Sequence, residues 1–165
     1  LARPWAIPGT PDLMHRIGGI EKEDGTGNIS YDPENHQKMI ALRAAKIEAV
    51  DVPDVEIAGD PDADFCILGW GSTWGAIDAA VDRLQEAGKK VAHVHLSHLN
   101  PFPKNLEEVL TQFDKVICPE MNEGQLVNLV RAKYLLDIKP VNKMNGVPFT
   151  TAEIESAALQ AMEAS

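Results

Sequence analysis

From Asp64 onward, short apolar runs alternate with stretches whose apolar residues recur every three or four positions, the pattern of strands and amphipathic helices in βαβ units. Asp64–Leu68 predicts a first strand. Beyond a glycine-rich turn, Ile77, Ala80, Val81 and Leu84 stand at i, i+3, i+4 and i+7 and predict a helix to Ala87, ended by Gly88. Val91–Leu96 and Lys115–Cys118 predict a second and a third strand. Between them, after a turn over His98–Pro103, a helix places Leu106, Val109, Leu110 and Phe113 on one face. The helix after the loop Glu120–Gly124 is expected to bury Leu126, Leu129, Val130 and Tyr134, and Val141–Met144 predicts a short fourth strand. Thr150 and Glu153 have capping-box spacing and open a last helix carrying Ile154, Ala157, Ala158 and Met162. Residues 63–165 are therefore predicted as a three-layer α/β domain, a mostly parallel sheet of about four to five strands with helices on both faces.

The preceding residues read differently. Leu1–Pro33 holds prolines at 4, 8, 11 and 33 and glycines at 9, 18, 19, 25 and 27, with no sustained period. It predicts an extended arm, and an arm of that length is expected to run over a neighbouring domain or subunit, with Trp5 and Ile7 as anchors. Asp32-Pro33 opens a helix, the Asp as cap and the Pro at the first position, where its missing amide costs nothing. The helix runs to about Val50 with Met39, Ile40, Ala44 and Ile47 as its stripe. Residues 1–62 thus predict an interdomain arm with a helix at 33–50, closed by the Pro- and Asp-rich connector Asp51–Asp62.

Composition narrows the partners. The 165 residues are 44% hydrophobic and 24% charged, the size and make-up of one domain. Fifteen basic against 25 acidic residues give a net charge of -10, which repels phosphate backbones, so nucleic acid is not an expected partner. There is neither a long apolar span nor a basic-then-apolar leader, so a cytoplasmic protein without membrane contact is expected. Cys66 and Cys118 lie far apart within apolar runs and read as reduced core thiols. The chain opens Leu-Ala-Arg-Pro-Trp, without an initiator Met, and is expected to be a piece of something larger.

Two loops carry candidate chemistry. In Gly69-Trp-Gly-Ser-Thr-Trp-Gly75, glycines and a helix start offer amides and a partial positive charge to an anion, with Gly69, Gly71, Ser72 and Thr73 as the binding set. The spacing departs from the dinucleotide fingerprint, and strand two ends in Leu96-Ser97-His98 without the acid that a ribose needs. An independent nucleotide-binding Rossmann-like module is the alternative reading, and a turn serving only strand-to-helix packing is the plainest. The second loop, with Glu120, Asn122, Gly124 and Gln125, follows strand three on the same carboxyl edge and predicts an interface or site wall. Asn122 also has the look of a helix cap. His93 and His95 share a strand face with His98 nearby, but no Cys, Asp or Glu beside them completes a metal site, so no metal is expected. No catalytic residue stands out.

Five ordered segments carry a resemblance. Arg16-Ile-Gly-Gly-Ile-Glu-Lys-Glu-Asp-Gly-Thr-Gly-Asn-Ile-Ser30, Gly69-Trp-Gly-Ser-Thr-Trp-Gly-Ala-Ile77, His98-Leu-Asn-Pro-Phe-Pro103, Glu120-Met-Asn-Glu-Gly-Gln-Leu126 and Asn145-Gly-Val-Pro-Phe149 resemble the C-terminal portion of the α subunit of 2-oxoacid:ferredoxin oxidoreductases, above all the 2-oxoglutarate type. The resemblance implies a transketolase C-terminal-like domain of a thiamine diphosphate enzyme that decarboxylates a 2-oxoacid oxidatively, passes the acyl group to coenzyme A and sends electrons through iron-sulfur chemistry to ferredoxin. It implies as partners a preceding pyrimidine-binding domain of the α subunit and a β subunit holding the diphosphate and the cluster. The thiamine diphosphate signature begins Gly-Asp-Gly and ends in paired Asn, whereas here Gly59-Asp60 runs into Pro61 and no paired Asn occurs. Two cysteines are too few for a four-thiolate cluster. Neither thiamine diphosphate nor an iron-sulfur cluster is therefore expected on this chain itself, whose implied role is assembly or an active-site wall, with the glycine turn as a candidate site for a coenzyme A phosphate.

Overall fold

A computed structural model describes residues 5–164, so the first four positions of the predicted arm lie outside the described residues. The chain divides into two units, Leu1–Asp51 and Val52–Ser165. The second unit holds β1 (Ile57–Gly59), β2 (Phe65–Trp70), a 3-10 turn (Gly71–Thr73), α2 (Trp74–Glu86), β3 (Ala92–Leu96), α3 (Leu106–Leu110), β4 (Lys115–Glu120), α4 (Gln125–Tyr134), β5 (Ile138–Asn142) and α5 (Thr151–Glu163). Its five-stranded sheet has the order β1-β3-β2-β4-β5. β3, β2, β4 and β5 are parallel, and β1 is antiparallel on the outer edge of β3.

Alternation along the strands divides the core between two faces. Phe65, Ile67, Val91 and Ile117 pack with Ile77, Ala80, Val81 and Leu84 of α2 and Ile154 and Ala158 of α5. Cys66, Leu68, Val94, Leu96, Val116 and Cys118 point the other way, onto Leu106 and Leu110 of α3 and Leu126, Val127 and Val130 of α4. The result is the predicted three layers, and both cysteines are free and buried in the sheet. α2 closes as its glycine suggests: the Gly88 amide donates to the Gln85 carbonyl at 2.8 Å and that of Lys89 to Leu84 at 2.9 Å. α5 opens on the expected capping box, with the Thr150 amide 2.8 Å from the Glu153 carboxylate and the Glu153 amide 3.3 Å from the Thr150 hydroxyl.

Several elements differ from the periodic reading. β1 lies within the residues expected as connector, which is why 52–62 belong to the second unit. Three residues carry too little period to be seen. The last strand is Ile138–Asn142 rather than Val141–Met144. It is an edge strand with only Ile138 buried, and an edge is where Pro140 is tolerated. On α4 the buried face is Leu126, Val127 and Val130, while Leu129 is 52% exposed. Phe113 is buried beyond the end of α3, which has only five residues.

In the first unit, α1 (Pro33–Glu48) starts as its cap predicts, Asp32 accepting from the amides of Glu34 and Asn35 at 3.2 and 3.3 Å. Of its expected stripe only Met39 is buried; Ile40 and Ile47 are 49% and 44% exposed. Within the arm, residues 21–30 fold back through a Lys22–Ile29 bridge. That loop is held on α1 by Asn35, which accepts from the Asp24 amide at 2.9 Å and donates to the Lys22 carbonyl at 3.0 Å. Glu21 adds an ion pair with Arg43 at 3.0 Å and a contact with His36. Those two partners, Arg43 foremost, hold the Glu21 carboxyl below its usual range.

Candidate functional site at the carboxyl edge

β2 and β4 are neighbours, yet β2 leads through α2 to β3 on one side and β4 leads through α4 to β5 on the other. Connections that diverge from adjacent parallel strands leave a crevice at the carboxyl ends, the usual ligand position in open α/β folds. Both loops singled out from the sequence, 69–75 and 120–125, open onto it, and Trp70 links them by donating its indole Nε1–H to Glu120 Oε1 at 3.2 Å.

Glu120 is wholly buried. Its Oε1 accepts from Trp70, from the Asn122 side-chain amide at 3.2 Å and from the Leu126 backbone amide at 2.8 Å, and its Oε2 from the Val127 amide at 3.1 Å. The helix thus finds its anion within the chain: first-turn amides of α4 are met by a carboxylate from the strand before it. Asn122 completes the frame, its Oδ1 accepting from the amides of Gly124 and Gln125, each at 2.8 Å. Gly124, with φ +89°, supplies the left-handed step at the start of the helix and is buried, so Asn122 acts as a turn brace before the cap position. Of the four predicted wall residues only Gln125 is exposed; Met121 and Glu123 present the remaining open surface of this loop.

The glycine turn is equally knitted. The Thr73 hydroxyl, expected as a donor to an anion, donates to the Trp70 carbonyl at 2.8 Å and accepts from the Trp70 amide at 3.3 Å. Ser72 and Gly71 are exposed, and α2 begins without a side-chain cap. Gly69 is required by close approach, because a Cβ there would lie 2.5 Å from Ile77 Cδ1 and 2.8 Å from His95 Nδ1. His95 reaches across it to bind the Gly71 carbonyl through Nε2 at 3.2 Å, and its Nδ1 lies 3.3 Å from His93 Nε2. Burial, reinforced by the neighbouring His95, pushes the His93 imidazole down to about 4, and burial lowers His95 as well. The two histidines therefore serve the turn as neutral packing and hydrogen-bonding groups. Among the described residues no group of three or more His, Cys, Asp or Glu is placed to hold a metal ion. His98, exposed, faces Ser97 at 3.0 Å.

The cofactors implied by the resemblance fit this chain unequally. Cys66 and Cys118 point into the core with their thiols pushed up by burial, so neither offers a thiolate to a cluster. The start of α2 differs: added Cβ atoms at Gly71 and Gly75 would meet nothing within 4 Å, so ligand atoms have open backbone to approach. The sequence reading missed Trp70 as the link between the loops; its one signal was an indole at the end of a strand, where a buried N–H needs a partner.

Residues 63–154 match the model of the pyruvate:ferredoxin oxidoreductase core domain II. The chain is 53% identical over 156 residues to 2-oxoglutarate oxidoreductase subunit KorA of Mycobacterium tuberculosis, covering 93% of this chain and 24% of that protein. It superposes with a TM-score of 0.85 and 33% identity on the 2-oxoglutarate:ferredoxin oxidoreductase of Magnetococcus marinus, solved with 2-oxoglutarate, coenzyme A and succinyl-CoA bound, covering 97% of this chain and 29% of that one. A split-gene transketolase, an inactive β4 tetramer, shares the fold at a TM-score of 0.52 and 13% identity, over 69% of this chain and 43% of that one. The chain thus spans about a quarter of the length of that curated KorA relative. With more than half of its residues matched to that model, the chain belongs to the pyruvate:ferredoxin oxidoreductase core domain II family.

Proposed function

We propose that the chain is a domain of the α subunit of a cytoplasmic 2-oxoglutarate:ferredoxin oxidoreductase and that its carboxyl edge walls the approach to the active site. The observation that carries the reading is the 53% identity to KorA across 93% of the chain. The edge itself agrees with a wall: Glu120, Asn122 and Thr73 spend their polar atoms on the fold, while Ser72, Met121, Glu123 and Gln125 are exposed around the crevice. In the whole enzyme thiamine diphosphate supplies the decarboxylation chemistry, with coenzyme A as acyl acceptor and ferredoxin as electron acceptor. The start of α2, with open backbone at Gly71 and an exposed Ser72, is the place on this chain for a phosphate of coenzyme A, by helix polarity. Its partners are a pyrimidine-binding domain of the same subunit and a β subunit that holds the thiamine diphosphate and the cluster.

The test is to purify the complete α subunit with its β subunit and follow reduction of a viologen dye with 2-oxoglutarate and coenzyme A. Reduction requiring both is expected, and deletion of 1–30 is expected to impair assembly. A correctly assembled, cofactor-loaded complex that turns over no 2-oxoacid overturns the reading.

A further inference from the structure

The loop between β5 and α5 contains Asn145-Gly146-Val147, the single place in the chain where an asparagine precedes a glycine. It follows a parallel strand and so lies on the carboxyl edge, and all three residues are exposed.

The turn sets a backbone nucleophile beside a side-chain electrophile. Asn145 Oδ1 accepts from the Val147 N–H at 3.1 Å, which folds the carboxamide over the peptide that follows it. That N–H is also a donor in place for the negative charge Oδ1 gains when its carbon is attacked. The attacking atom is the Gly146 nitrogen, whose N–H donates to no described group. Gly146 stands at φ +76°, and a Cβ added there would meet nothing within 4 Å, so its amide is open to hydroxide.

The other seven asparagines lack this combination. Asn100 precedes Pro101, which has no N–H to lose. Asn35 and Asn105 spend both side-chain polar atoms on backbone partners. Asn122 forms a similar turn, but its Nδ2 is tied to Glu120 at 3.2 Å. Asn128 and Asn142 lie within α4 and β5, and Asn28 precedes the branched Ile29.

We propose that Asn145 is a self-modification site, deamidating spontaneously in the folded protein to aspartate and isoaspartate. The Gly146 amide gives its proton to hydroxide, its nitrogen bonds to Asn145 Cγ, and Nδ2 takes up a proton and leaves as ammonia. Water then opens the five-membered succinimide at either carbonyl, so one water is consumed, one ammonia is released and no atom changes oxidation state. Each product adds a carboxylate to a chain whose net charge is already -10. Isoaspartate also lengthens the backbone between Lys143 and Phe149, a stretch that Lys143 clamps through the Pro148 carbonyl at 3.0 Å and Glu153 at 2.7 Å. The carboxyl edge thereby acquires a charge that grows with the age of the molecule, whichever 2-oxoacid the whole enzyme uses.

The test incubates the folded 165-residue chain at neutral and mildly alkaline pH beside a free peptide of residues 142–149. Peptide mass spectrometry follows each asparagine, and enzymatic methyl labelling reads isoaspartate. Conversion at Asn145 is expected within about tenfold of the free peptide and at least about tenfold faster than at any other asparagine, a barrier difference of about 1.4 kcal/mol or more. It should yield both products and accelerate with pH. Asn145→Gln, whose extra methylene forbids the five-membered ring, should lose the isoaspartate label with unchanged circular dichroism. An Asn145 that stays intact in the folded chain while the peptide converts, aspartate without isoaspartate, or equal conversion at another asparagine overturns the proposal.

Discussion

Replacing Glu120 by Gln changes one atom in the most heavily bonded side chain of the carboxyl edge. Oε1 can keep its three donors, Trp70 Nε1, Asn122 Nδ2 and the Leu126 amide. At the position of Oε2, however, an amide nitrogen would face the Val127 N–H, 3.1 Å away, donor against donor. A hydrogen bond to a charged group is worth about 1.5–3 kcal/mol, and relief from burying a carboxylate returns part of it, so Gln should cost about 2 kcal/mol. Glu120→Ala strands all four donors in a site with no exposure and should cost at least about 3 kcal/mol. Urea unfolding followed by far-ultraviolet circular dichroism reads both, as a lower midpoint at unchanged slope. If the Gln variant lies within about 0.5 kcal/mol of the parent, the size of an ordinary surface substitution, the carboxylate does not hold this edge and the reasoning fails.

Burial holds His93 down to about 4 from an ordinary 6.5, so unfolded chains bind a proton there first as the solution is acidified. Stability from this group is complete above about pH 6.5 and falls by up to about 3 kcal/mol on the way to pH 4, and His93→Gln should flatten that slope in denaturant titrations at stepped pH. Gly69→Ala drives a methyl to 2.5 Å from Ile77 Cδ1 and should cost about 1–3 kcal/mol, part of it regained by adding Ile77→Val; thermal melts of the single and double variants check this. Thr150→Ala removes the acceptor of the Glu153 amide and should cost about 1 kcal/mol in the same melts, whereas Thr151→Ser, which leaves that acceptor in place, should stay nearer the parent.

What could be read from the chain beforehand follows the physics of each signal. Helices α2 and α5 were legible because caps and stripes coincide, as at Gly88 and Thr150, and α1 was legible from its Asp32-Pro33 start alone. Buried strands β2, β3 and β4 were legible as apolar runs between polar turns. Edge strands were not: β1 is three residues long and β5 buries only Ile138. The candidate loops were found because glycines and acids after a strand mark the carboxyl edge, but the use made of those residues was hidden. Whether Glu120 faces a ligand or its own helix depends on strand parity and on Trp70 arriving from a neighbouring strand, a contact between residues 50 apart that local pattern does not carry.

The proposed function requires the carboxyl edge of this domain to stand at the active site of a larger oxidoreductase. The direct measurement introduces Ser72→Glu and Gln125→Glu, both at exposed positions, into the complete enzyme and compares kinetics for coenzyme A with assembly by size-exclusion chromatography. An edge that faces the cofactor approach predicts intact assembly with KM for coenzyme A raised about tenfold, the effect of one poorly screened charge placed beside a phosphate. Unchanged kcat and KM in both assembled variants would contradict the account.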